Sequence, residues 1–177
     1  MSDPEPKTQA PNVSFERERG VYAIQVTRDV AHAVVSVGED ALRTARILQT
    51  FRALAQANVP VFMVKMHHSA VTFAMAGAEM ARAEAALAEA GLEAKTRRDL
   101  AVVAVRASSM RDLSGVMVEI ADTLYSVGAR LYETGDSHNS VQCLVEAVCV
   151  PQAIQALCRT FRLSADCVQV TSLEAAA

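Results

Sequence analysis

The chain has 177 residues, of which 51% are hydrophobic, 21% charged and 5% aromatic, with no tryptophan; this is enough apolar material for one compact domain or two small ones sharing a core. Its net charge of −3 and its scattered Lys and Arg residues offer no basic stripe to a phosphate backbone, which argues against nucleic acid as a partner. Apolar runs are broken at Glu39, Asp40, Lys65 or Glu146 before they reach the roughly 18 residues of a membrane span, so no membrane contact is expected. The first residues show no basic segment followed by an apolar run, and the expected compartment is the cytoplasm. Cys143, Cys149, Cys158 and Cys167 match neither a zinc ribbon nor a Cys-x-x-Cys pair and read as reduced thiols, mostly in the core.

Residues 1–19 hold Pro4, Pro6 and Pro11 among many charges and read as a disordered leader. VYAIQVT from Val21 predicts a strand, and after Arg28 and Asp29 the run VAHAVVSV predicts a second, ending at Gly38. Residues 41–57 place Ile47, Leu48, Phe51, Leu54 and Ala55 on one face of an amphipathic helix, which Pro60 stops near Asn58. VPVFMVKM and VTFAMAG predict a hairpin with its turn at 67–70, and Glu79 to Ala90 predicts a helix closed by Gly91. LEAKTRRDL is charged as exposed edges often are and predicts an edge strand.

The pattern then repeats at an offset of about 70 residues. AVVSV at 33–37 recurs as AVVAV at 101–105, and Leu54, Val61, His68, Val71 and Leu87 fall on Leu124, Leu131, His138, Val141 and Leu157. The second half predicts LAVVAVRA as a strand, a helix over 113–127, strands ARLYETG and SVQCLVEA, and a helix beginning at Pro151. Each half reads as a ferredoxin-like βαββαβ unit, an α+β class with antiparallel sheets and helices on one face. The second half lacks a fourth strand unless VYAIQVT supplies it. The expected organisation is therefore interleaved: a leader (1–19), a first unit (30–99), a second unit (20–29 with 100–163) and a tail (164–177).

Over residues 21–163 this pair of units resembles the tandem ACT domains at the C-terminus of aspartokinases. Ser109-Met110-Arg111 ahead of Ser114-Gly115-Val116 is similar to that family's Gly-Met-Arg and Pro-Gly-Val, and the stretch Tyr132 to Val141 is similar to its Ser-His-Asn and Asp-Ser-His segments. No Lys-Phe-Gly-Gly-Thr start and no phosphate-cradling glycine loop accompany them. The resemblance implies a regulatory protein without catalysis of its own, needing no cofactor or metal. It implies an amino-acid effector of the lysine, threonine or diaminopimelate type, a homodimer, and a catalytic kinase subunit or other biosynthetic enzyme as partner. The alternative is an ACT-fold interaction scaffold that binds no ligand.

In such units the effector meets the turn between the first strand and first helix, where free backbone N–H groups suit a carboxylate. The corresponding residues are Gly38, Glu39, Asp40 and Ala41 in the first half, and Met110, Arg111, Asp112 and Gly115 in the second. Asp40 and Asp112 also read as ordinary helix caps. The resemblance adds Phe62 and Met63, and it brings in Gly128, Ala129 and Arg130 from a partner chain. The family often carries an acidic residue where this chain has Phe62; phenylalanine cannot pair with an ammonium group, which implies a less polar effector or a lost contact.

Other constellations read as structure. His67 and His68 are adjacent and belong to a turn. His138 lies near Cys143, but that cysteine sits in an apolar run without an activating neighbour. Met63, Met66, Met75, Met80 and Met117 read as core filling.

Overall fold

A computed structural model describes residues 20–173, the Arg111 side chain excepted; the predicted leader lies outside them. β1 (Val21–Ser36) is one strand of 16 residues where the sequence predicts two. A register shift between Thr27 and Val30 absorbs Arg28 and Asp29, and Asp29 adopts φ +60°, so the chain bends without leaving the sheet. The same device recurs seventy residues on. Asp99 has φ +57°, and LEAKTRRDL and LAVVAVRA join into β4 (Ala94–Ala107).

The remaining elements are α1 (Arg43–Gln56), β2 (Phe62–Met66), β3 (Ala70–Ala76), α2 (Met80–Glu89), α3 (Val116–Ser126), β5 (Glu133–Ser137), β6 (Ser140–Glu146), α4 (Val150–Thr160) and β7 (Val168–Ser172). The strands form one sheet in the order β2-β3-β1-β4-β6-β5, antiparallel throughout, and β7 adds in parallel to Ile24–Arg28 of β1. β7 lies in the segment predicted as a tail. The place beside the second half of β4 is already filled by Val21–Thr27 of β1, so β7 pairs on the outer side of that stretch.

The charged start of β4 pairs only with β1 and is an edge, as its composition predicts; from Leu100 onward β6 covers its other side. β5 begins at Glu133 rather than Ala129, because the Arg130 N–H donates to the Glu146 carboxylate and not to a ladder carbonyl. α3 begins at Val116 rather than Leu113, since Leu113 is extended and Gly115 is left-handed. The buried stripe of α1 runs through Thr50, Ala53 and Leu54, leaving Leu48 and Ala55 exposed, and the Thr50 hydroxyl is satisfied by the Arg46 carbonyl at 2.8 Å. Met75 and Met80 are core residues as predicted, but Met66 and Met117 are exposed because they face outward at the end of an edge strand and on the first turn of α3. Of the four cysteines, all free, Cys143 alone is fully buried.

Two cores lie under the helices. Ile24, Val103 and Val105 pack with Ile120 and Leu124 of α3 and Ala153 and Leu157 of α4; Ala33, Val35 and Phe73 pack with Leu54 of α1 and Ala83 and Leu87 of α2. Each fully buried leucine contributes about 2 kcal/mol. On the opposite face, Val30, Ala74, Leu100, Val102 and Leu144 form a third cluster with Phe62, Met63 and Tyr132. The sheet curls over this cluster until its two edge strands meet, with Lys65 Nζ of β2 3.7 Å from Glu133 Oε1 of β5.

Candidate effector site

β4 reaches α3 through a single tight turn at Met110–Asp112, tied to the β5–β6 hairpin by a 2.8 Å bond from the Met110 N–H to the His138 carbonyl. Gly115, at φ +84°, precedes the helix; a residue with a side chain would be strained there. No side chain caps α3, so its first N–H groups and the positive end of its dipole face outward. They border a cleft of about 470 Å³. Met110, Leu113, Val116 and Met117 form one wall, and Thr134 to His138 with Val141 form the other.

The Asp136 carboxylate lines this cleft and is exposed, while the Ser137 hydroxyl is engaged with Asn139 at 3.2 Å and Ser140 at 2.8 Å. A helix N-terminus, a carboxylate and an apolar wall of Leu113, Val116 and Val141 together suit a zwitterion with an aliphatic side chain. Of the predicted residues, Met110 lines the cleft, and Asp112 and Gly115 lie in the turn beside it.

The matching turn of the first half is bonded by its own side chains and borders a smaller cleft of about 320 Å³ lined by Val37, Gly38 and Arg46. Arg46 Nη1 donates to the Val37 carbonyl at 3.0 Å and to Asp40 Oδ1 at 2.9 Å, and a Cβ at Gly38 would stand 2.8 Å from that nitrogen. Asp40 also accepts the Leu42 N–H at 2.9 Å; that bond and Arg46 hold its carboxyl below the usual range. Arg43 donates to the carbonyls of His67 and His68 at 2.8 Å each, and Glu39 lies 3.2 Å from His68 Nδ1. Ala41 is exposed.

Phe62 and Met63 stand apart from both turns, in the cluster on the face opposite the helices. Gly128, Ala129 and Arg130 follow the C-terminal end of α3, a helix of 11 residues, and so lie about 16 Å along its axis from the N-terminal end that borders the cleft. Ala129 is buried in the core, and Arg130 approaches the Tyr132 ring. Thr134, Asp136 and His138 were not singled out as contacts, although they fall within the Tyr132–Val141 stretch that carries the resemblance. Among the described residues no group of three or more His, Cys, Asp or Glu side chains is placed to hold a metal ion, and no helix is long and apolar enough to cross a membrane.

No family model matches the chain. Aspartokinase 1 of Bacillus subtilis is 25% identical over 149 residues, 83% of this chain and 36% of that protein, so the chain spans little more than a third of this relative. A structure of aspartokinase alpha and beta subunits superposes with a TM-score of 0.74 at 22% identity, covering 81% of this chain and 100% of the matched one. The fold is that of an aspartate kinase regulatory subunit. The regulatory subunit of aspartate kinase from Thermus thermophilus, in its ligand-free form, matches at a TM-score of 0.70 and 22% identity over 80% of this chain and 98% of its own. The regulatory-subunit fold thus accounts for almost the whole of these two matched chains, and in this chain its two strand-to-helix turns differ: one borders the 470 Å³ cleft, and at the other Arg46 bonds the Val37 carbonyl and Asp40 beside a cleft of about 320 Å³.

Proposed function

We propose that this chain is an amino-acid-responsive regulatory module for an aspartate-kinase-type catalytic subunit, with no catalysis of its own. The observation that carries the reading is the open cleft at the uncapped N-terminus of α3 in this fold. The effector's α-carboxylate takes the helix N–H groups, its ammonium takes Asp136, and its side chain lies against Leu113, Val116 and Val141. The module works as two interleaved units, 30–99 and 20–29 with 100–163, in a cytoplasmic homodimer. Gly128 to Arg130 of a second copy help to close the effector site. Regulation requires the effector to bind one arrangement of the assembly better than another, since equal affinity shifts nothing.

A thermal-shift panel of lysine, threonine, meso-diaminopimelate, methionine and the other standard amino acids tests this. Saturation to about 100 times the dissociation constant adds ~2.7 kcal/mol, about 5–10 °C for a chain of this size. Asp136→Asn should weaken the response about tenfold or more, as expected for a lost charge-assisted bond. No response to any amino acid overturns the reading in favour of the interaction scaffold.

A further inference from the structure

A second cleft, of about 360 Å³, opens on the opposite face of the sheet, where the two halves meet. Its walls include Lys95 and Arg97 from the charged start of β4, Arg130 and Tyr132 from the segment before β5, and Glu133 from β5. Arg97 and Arg130 both stack on the Tyr132 ring, their Cζ atoms 4.8 and 5.2 Å from its centroid. A guanidinium held over a ring face by a cation–π contact still has N–H donors to offer an anion.

Among the described residues neither Arg97, Arg130 nor Lys95 has a carboxylate within 4 Å of its charged nitrogens. The cleft's one carboxylate is already committed. Glu133 accepts from Thr72 Oγ1 at 2.8 Å and lies 3.7 Å from Lys65 Nζ. Glu146, nearby, is occupied by the Tyr132 hydroxyl and the Arg130 backbone N–H. Three cations therefore line the cleft against one carboxylate, Glu133, with Glu146 acting on Arg130 from outside it, so positive charge is in excess. A second, independent observation points the same way. His32 lines the cleft with its side chain 9% exposed, and its Nε2 has no hydrogen-bond partner, the nearest carboxylate oxygen standing at 3.7 Å. A buried polar atom left unpaired is costly unless a ligand or water completes it.

We propose that this cleft binds a small dianion, a dicarboxylate or a phosphate, held by the guanidinium forks of Arg97 and Arg130 and by Lys95, with the His32 Nε2–H as its buried donor. Arg97 belongs to the first half and Arg130 to the second, so the ligand bridges the two. No residue lining this cleft lines the α3 cleft of the same copy; Arg130 is also assigned above to closing a second copy's effector site, and the anion titration is therefore run without any amino acid and read at His32.

The chain's four histidines make the test local, because His32 and His67 line this cleft while His68 and His138 do not. Malonate and inorganic phosphate are titrated separately into ¹⁵N-histidine-labelled protein at constant ionic strength, with sodium chloride as the control. The expected result is a saturable shift of His32 with one of the two anions, which also tells a carboxylate ligand from a phosphate one, while His68 and His138 stay still. In the Arg97→Ala/Arg130→Ala variant, both positions being exposed, affinity should fall about tenfold or more. Equal movement of all four histidines, a still His32 with both anions, or undiminished affinity in the double variant overturns the proposal.

Discussion

Glu133 is one carboxylate from the second half received by four side chains of the first, and replacing it by alanine measures what that junction contributes. Thr72 Oγ1 donates to it at 2.8 Å, Lys65 Nζ lies at 3.7 Å, and the Nε2 atoms of His32 and His67 lie at 3.7 and 3.9 Å. Thr72 is 5% exposed and its hydroxyl's other partner is His67 Nε2 at 3.3 Å, so the substitution removes its shorter, charge-assisted bond, at a cost of about 1–3 kcal/mol. The partly exposed Lys65 contact adds little to this. For a chain of this length the loss lowers Tm by about 2–12 °C. Glu133→Gln keeps an acceptor for Thr72 and removes only the charge, which makes it the sharper probe. Burial lowers the His32 pKa from its ordinary 6.5; Glu133 opposes this, and His67 and Arg97 add to the lowering. The folded chain therefore binds that proton less readily than the unfolded one. The stability His32 contributes is present above pH 6.5 and is lost as the pH falls below it, through the folded value. Without the charge of Glu133 the folded value drops further, so Glu133→Gln should lose more stability on acidification than the parent. Urea titrations at a series of pH values, with the His32 pKa followed by NMR, read both effects. A His32 pKa that stays put or rises in Glu133→Gln would refute the reasoning.

Leu124→Ala and Leu157→Ala, on facing helices at 1% and 0% exposure, should each cost about 2–5 kcal/mol in urea unfolding. Val118→Ala, on the outer side of α3 at 63% exposure, should stay within about 0.5 kcal/mol. Gly115→Ala meets no neighbouring atom within 4 Å but must adopt φ +84°, so it should cost about 1–2 kcal/mol from the backbone alone; an unchanged midpoint would show that the turn relaxes. Burial pushes the Cys143 thiol up to about 11, so under native conditions it should resist alkylation at pH 8 and react only after denaturation, as peptide mass mapping would show.

Local patterns carried much of the fold. Pro60 and Gly91 stop α1 and α2 where expected, the 67–70 turn joins β2 to β3, and the seventy-residue offset places Leu54 and Leu124, and Leu87 and Leu157, at equivalent buried positions. The long strands were not legible because Asp29 and Asp99 are turn-forming residues in most contexts; here each occupies a left-handed bulge that bends a strand instead of ending it. β7 is not legible in the sequence because four of its five residues are exposed and its partner on β1 is 144 residues away, beyond any local periodicity. At the candidate site, the Met110–Gly115 turn could be read from its glycine and from the resemblance. The Arg46 contacts could not: an arginine one turn into an amphipathic helix reads as solvated until the fold aims it back at Val37 and Asp40. Nor could the junction at Glu133, which joins residues 61 and 101 positions apart.

The shared β1–β4 ribbon also governs how the chain is assembled. The first stretch of β1, Val21–Thr27, finds its partners only when Val102–Ala107 and then Val168–Ser172 have been made, whereas Val30–Ser36 can pair with Ala70–Ala76 much earlier. On a ribosome Val30–Ser36 and Ala70–Ala76 emerge well before Val102–Ala107, about eighty residues after the leading strand, and closing that long loop adds its entropy cost to folding. A cut between the halves divides the one sheet and parts Val21–Thr27 from its partners on β4 and β7, so neither fragment is a finished fold. Melting should accordingly be a single event for the entire chain.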